Sequence, residues 1–445
     1  MDSLSLETTF DRLVTALLNE LQEGEHLTLR LIGEQSQFVR FNRAKVRQAG
    51  CVNDAELQLT LLYNQRAGAF GFPITGNWQM DWQQGRSALA ELREEVAQLP
   101  DDPYIVLPEG NATSREVHSG DLLAPEAVVD AILPAVAGLD FTGLYAAGSL
   151  VRGYADSAGQ KHWFATESFA LDYSLFTEEG QAVKDTFAGS QWDQSSYGAK
   201  LTTAKQQLER LLQAPKSVPK GQYRTYLAPS AVSELLQMFS WGGLSESSLR
   251  RGGSAFRLLQ QGEKSLSPAF HLAENFQHGL VPRFNEWGET APVELPIIQA
   301  GKLVNTLINS RTAKEYNIIP NGANGRESLR SPEIAPGDLS QSDILRALDR
   351  GLYVSNLHYL NWSDRPTGRV TGMTRYACFW VENGEISAPI QNLRFDESLY
   401  RCFGQNLIAL TDFQDFMPEV GTYDNRNLGG SWVPGALVEA FTYTL

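Results

Sequence analysis

Between Phe141 and Phe187, aromatic and β-branched residues alternate with polar ones, as in GLYAAGSLVRGYADSAGQKHWFATESFALDYSLFT. A period of two over such a length requires long strands with one buried face. Ser157-Ala158-Gly159-Gln160 supplies the turn that folds the stretch back on itself. The same period opens the chain, where Leu27, Leu29 and Leu31 point one way and Thr28, Arg30 and Ile32 the other. Further strands are predicted at Gln37 to Asn42 and Glu56 to Tyr63, followed by a glycine-rich turn at Gly68 to Gly71. Leu6, Phe10, Leu13, Val14, Leu17, Leu18 and Leu21 recur at helical spacing, and Gly24 ends that run. Helices are also predicted at about Trp78 to Leu99, Pro125 to Val136 and Lys200 to Leu212.

Residues 214 to 221, Ala-Pro-Lys-Ser-Val-Pro-Lys-Gly, have the composition of a linker. At 445 residues the chain can build a core on each side of it. The expected division is residues 1–213 and residues 222–445. The second part is strand-rich, with GLYVSNL, RYACFWVENGEISAPIQNL and ALVEAFTYTL as strands and Asn383-Gly384 as a hairpin turn. Helical periodicity returns there only around Ser230 to Phe239, with Ser230 as N-cap, Arg311 to Glu315 and Ser340 to Leu348. The fold class is therefore α+β: an N-terminal α/β domain with a mixed sheet, then a C-terminal antiparallel, β-rich domain.

The net charge of −15 and the lack of any basic run argue against a nucleic-acid partner, whose phosphates demand clustered Lys and Arg. Arg40 and Arg43 read as solvent-facing strand charges. Asp2 and Glu7 stand where a secretory leader would carry positive charge, and no run of about 18 apolar residues occurs. Cys51, Cys378 and Cys402 are odd in number and far apart, as expected of reduced thiols. These features point to a cytoplasmic protein without a membrane partner.

The run from Leu235 to Phe256, LLQMFSWGGLSESSLRRGGSAF, begins as an apolar helix, breaks at Gly242-Gly243 and continues into Arg250-Arg251-Gly252-Gly253. It resembles, without a gap, the zinc-site helix of the TldD/PmbA family of metalloprotease-like proteins. In the active branch that run reads roughly Leu-Leu-His-Glu-Ala-Val-Gly-His-Gly-Leu. Further pieces are similar in the same order: RFNEWGETAPVELPIIQAGKLVNTLINSRTAKEY, PNGANGRES, GLYVSNL and TGRVTGMTRYACFWVENGEI. The resemblance covers most of residues 220 to 445, and the first half more weakly.

The frame places Gln237 at the first His, Met238 at the Glu and Gly242 at the second His. Zinc needs imidazole, thiolate or carboxylate donors, and its bound water needs a base. The third ligand implied by the resemblance is a late cysteine; here the region reads GTYDNRNLGGSWVPGALVEAF, and no cysteine follows Cys402. The site is expected to be degenerate, with no bound metal. His271, Glu274 and His278 could share one face if FHLAENFQHG were helical, but Pro268 and Gly279 bound that segment and favour a structural role. Elbow, P-loop and dinucleotide motifs are absent.

The resemblance implies a TldE/PmbA-like chain. Such a chain is a non-catalytic subunit of a TldD-type zinc protease complex, with zinc only in the TldD-like partner and an unfolded peptide as substrate. The loop Asn324, Arg326, Glu327 and Ser328 is a candidate wall of a peptide channel. The aromatic residues Trp362, Phe379, Trp380 and Trp432 are candidates for a dimer interface. Two other readings stand beside this one: a free-standing homodimer that binds peptides, and a peptidase with unrecognised chemistry.

Overall fold

The computed structural model describes residues 3–444, and of Ser3 and Leu4 only the backbone. The fold is mixed α and β and carries three sheets of seven, six and nine strands. The seven-stranded sheet is built from residues 26–189. Its centre is an antiparallel hairpin, Asp140–Asp156 against Lys161–Phe176, flanked by His26–Asn42 and Lys45–Tyr63. Thr113–His118 joins in parallel to Lys161–Phe176, so the sheet is mixed. The predicted turn at 157–160 is present. There the Asp156 carboxylate accepts hydrogen bonds from the amides of Ala158, Gly159 and Gln160.

Alternation decides the two faces of this sheet. Leu27, Leu29, Leu31, Val151 and Ala155 are buried under the helices Ser3–Leu18 and Trp78–Val96. Farther along the same face, Val39, Phe41, Phe141, Tyr145 and Leu171 pack with Tyr197, Leu201 and Ala204 of the Gln194–Leu211 helix. Phe379, from the C-terminal half, completes that cluster. Trp78–Val96 begins where Asn77 accepts hydrogen bonds from the amides of Gln79 and Met80, a cap that contributes about 1 kcal/mol. The opposite face presents Arg30, Glu34, Ser36, Arg152, Tyr154 and Ser168 to the C-terminal half.

Two local expectations need correction. The segment 26–42 is one uninterrupted strand, not two, because the polar stretch Glu34-Gln35-Ser36 stays in register with Leu150-Ser149-Gly148. Residues 68–71 form no turn. They lie inside the strand Arg66–Pro73, and the reversal falls at Asn64 and Gln65, both with positive φ.

The C-terminal half carries the other two sheets. Each is largely antiparallel but holds one parallel pair, Pro332–Ile334 with Gly430–Val433 and Gly221–Leu227 with Gly351–Val354. The Asn383-Gly384 hairpin forms as expected, with φ of 55° and 73° at its two turn residues. The helix Pro229–Ser240 buries Val232, Leu235, Leu236, Met238 and Phe239 in the largest hydrophobic cluster. Its N-cap is Ala228, not Ser230; Pro229 takes the first helical position, where a missing amide costs nothing. Among the described residues no helix is long and apolar enough to cross a membrane.

Candidate functional site

A cleft of about 610 Å³ opens between the polar face of the seven-stranded sheet and the exposed side of the Pro229–Ser240 helix. Ser233, Gln237 and Ser240 lie on its helical wall, Arg30, Arg152 and Tyr154 on its sheet wall. A second groove, of about 770 Å³, shares Arg30, Tyr154 and Glu286 with the first. It runs along the 102–109 segment, which is tied to the Ser310–Tyr316 helix by the Arg311–Asp102 ion pair and by Lys314 donating to the Ile105 carbonyl at 2.6 Å.

The three positions at the family's zinc residues do not converge. Gln237 is exposed and faces the cleft. Met238 points the other way and is 3% exposed, inside the apolar core. One residue along a helix turns the side chain by about 100°, and here that step carries Met238 away from the cleft and into the core. Gly242 lies beyond the helix end with φ of 71°, its amide donating to the Ser240 carbonyl at 2.8 Å. Gly243 is held by packing: a β-carbon there would sit 2.6 Å from the Phe239 carbonyl and 2.7 Å from the Phe256 ring. An amide, a buried thioether and a glycine do not make a zinc site. Among the described residues no group of three His, Cys, Asp or Glu is placed to hold a metal ion.

The candidate loop divides in the same way. Asn324, Arg326 and Ser328 line the cleft. Asn324 holds the turn by accepting from the Ser328 amide at 3.0 Å, and Leu329 donates to the Ser240 hydroxyl at 2.9 Å. Glu327 is buried beneath the loop, with φ of 50°. Its carboxylate accepts from the Ser245 hydroxyl at 2.6 Å and from the amides of Ser247 and Asn309 at 3.0 and 3.1 Å. It fixes the loop rather than facing the channel.

His271, Glu274 and His278 also separate. Leu272–Asn275 is a strand, and Phe276–His278 is a short 3₁₀ turn. Glu274 is buried and accepts from the amides of Arg330 and Ser331; burial raises its pKa. His278 stacks on Trp432 and meets Glu333 at 3.3 Å. Of the aromatic residues expected at an interface, Phe379 and Trp380 are buried within the chain.

Sequence reasoning missed the segment that closes the cleft. Arg426 is buried in the otherwise exposed 419–427 loop. Its amide donates to Glu34 at 2.8 Å. Its guanidinium donates to the Ser36 hydroxyl at 3.1 Å and to the carbonyl and hydroxyl of Ser168, both at 3.0 Å. This loop lies where the resemblance expects the late cysteine. Arg30 and Arg152 were missed as well, although a charge inserted into an alternating strand whose other face is leucine was a usable signal.

The architecture, with its β-rich C-terminal half and a helix flanking the cleft, is that of a metallopeptidase-like family. Residues 220–444 match the family model described as the PmbA/TldA metallopeptidase C-terminal domain, and the chain belongs to the TldD/PmbA family. No curated protein matches the sequence. Similar solved structures include TldE from Thermococcus kodakarensis, with a TM-score of 0.81 at 14% identity over 98% of this chain and 100% of that one. A candidate modulator of a DNA gyrase from Thermotoga maritima gives 0.77 at 15% identity over 99% and 100%. Another from Bacteroides thetaiotaomicron gives 0.77 at 16% identity over 98% of both chains. At such identities these likenesses establish the fold.

Proposed function

We propose that this chain is a TldE-like, non-catalytic subunit of a zinc-dependent peptide-processing complex in the cytoplasm. The observation that carries this reading is the divergence of Gln237, Met238 and Gly242. Gln237 alone faces the cleft, and it cannot replace an anionic or imidazole ligand. The cleft itself persists, with a floor of strand residues and walls of mixed polarity, dimensions that suit an extended peptide. Zinc and the activated water would come from a TldD-like partner, and this chain would hold the substrate segment and part of the interface. The fold shared with TldE is compatible with that assignment.

Affinity purification of the tagged chain from its native cell, followed by mass spectrometry, tests the reading. The expected result is stoichiometric recovery of a zinc-bearing partner of the same family, and peptidase activity in the complex but not in either chain alone. Recovery of this chain alone, with zinc-dependent activity, would overturn it.

A further inference from the structure

The chain carries 52 acidic and 37 basic residues, yet the cleft is lined by four arginines and two glutamates. One of the four, Arg330, is committed to structure: its guanidinium donates to the carbonyls of Pro282, Arg283, Phe284 and Gly322. The other three are not. Among the described residues the Arg152 guanidinium makes a single hydrogen bond, to the carbonyl of the adjacent Val151, and the Arg30 guanidinium a single one, to Gln58 at 3.3 Å. Arg326 makes none among the described residues and lies in the facing loop. A guanidinium has five N–H donors, so most of the donor capacity of this trio is unspent.

Arg30 and Arg152 lie on one face of neighbouring antiparallel strands. Tyr154 stands opposite Arg30 and Ile32 opposite Arg152, so the two arginines are diagonal neighbours. Like charges so placed destabilise each other, Glu34 on the other diagonal of Arg152 offsets this in part, and among the described residues neither arginine has a carboxylate within ion-pair distance. Glu34 is turned to the Arg426 amide, and Glu286 accepts from the Gly325 amide at 2.5 Å. Burial, and then the Arg30 charge, lower the Arg152 pKa to about 10, which leaves it cationic at neutral pH. Two adjacent, under-bonded guanidinium groups on a cleft floor are arranged for an anion, and the planar fork suits a carboxylate.

We infer that Arg30 and Arg152, with Arg326 across the cleft, form a binding site for a carboxylate of a peptide. This inference rests on the peptide-binding reading above and gives the cleft an anchor point. The carboxylate comes either from the C-terminus of the peptide or from an acidic side chain, and both place an anchor on the sheet wall opposite Gln237.

The test is fluorescence anisotropy with the full-length chain and three fluorescein-labelled octapeptides of Ala, Ser and Val. One ends in a free carboxylate, one in an amide, and one in an amide but with an internal aspartate. The expected result is at least about tenfold weaker binding of the plain amide, a preference abolished in Arg152→Gln and reduced in Arg30→Gln. Tight binding of the aspartate peptide would assign the site to side chains, weak binding to C-termini; both support a carboxylate site. Circular dichroism melts of the two variants establish that they fold, and Arg152→Lys should restore part of the preference. Equal binding of all three peptides to the wild type overturns the carboxylate site while leaving the peptide-binding reading standing. No binding of any peptide overturns both.

Discussion

The carboxylate of Glu327 accepts a 2.6 Å hydrogen bond from the hydroxyl of Ser245, joining the glycine-rich loop to the turn that follows the Pro229–Ser240 helix. Two more amides, of Ser247 and Asn309, converge on the same carboxylate. Three segments of the family-like sequence are thus held by one buried side chain. Its removal leaves a hydroxyl and two amides without an acceptor, each costly when buried.

Glu327→Ala should therefore lower stability by about 3 kcal/mol in urea unfolding. Arg326→Ala, one residue away but exposed, should change it by less than about 0.5 kcal/mol. Equal effects would mean that the loop is not pinned in this way.

Arg426→Leu should loosen the 419–427 loop from the seven-stranded sheet. It removes four hydrogen bonds and takes the Arg426 charge away from Glu34. Faster proteolysis within that loop, with the Ser3–Leu18 helix still protected, is the expected pattern in hydrogen exchange and limited digestion. An unchanged loop would remove Arg426 from its role as the tether.

This tether also shows where sequence reading stops. The Ser3–Leu18 helix, the 157–160 turn and the Asn383-Gly384 hairpin were legible because their signals are local: spacing, a run of small turn residues with glycine, a dipeptide with positive φ. The continuous strand through Glu34-Gln35-Ser36 was not, because Glu34 and Ser36 accept hydrogen bonds from Arg426, far away along the chain. At the candidate site, the residue types at 237, 238 and 242 were readable, but not their directions. That Met238 turns into the core, that Glu327 faces inward, and that Arg30 and Arg152 reach the cleft depend on packing between distant segments.

Acid stability offers a further check. Hydrogen bonds from His278, then Asn275 and Gln414, lower the Glu333 pKa from 4.5 to about 2, against the opposing effect of burial. A depressed carboxylate contributes stability that is present above its unfolded pKa and lost as pH falls toward the folded one. Glu333→Gln should thus be less stable than wild type at neutral pH, and the difference should shrink between about pH 4.5 and pH 2. A difference that grows on acidification would contradict this origin.

Restoring the family's residues should not restore a metal centre. In the triple variant Gln237→His, Met238→Glu and Gly242→His, only the first substitution places its side chain in the cleft. Met238→Glu buries a carboxylate in an apolar core, at a cost of about 3 kcal/mol or more. Gly242→His forces a β-carbon onto a residue with φ of 71°, at a cost of about 1 kcal/mol. The expected result is a lower melting temperature, weak zinc affinity and no peptidase activity until a cysteine is added near Asp424 to Asn427. Robust zinc-dependent cleavage by the triple variant alone would contradict the placement of these side chains.

The most direct measurement is the zinc content of the purified chain itself. After dialysis against a weak chelator, elemental analysis should find well under one zinc per 49.3 kDa chain, because Gln237, Met238 and Gly242 supply no donor set. One tightly held zinc per chain, removed only with loss of peptidase activity, would show that this subunit carries a catalytic metal of its own.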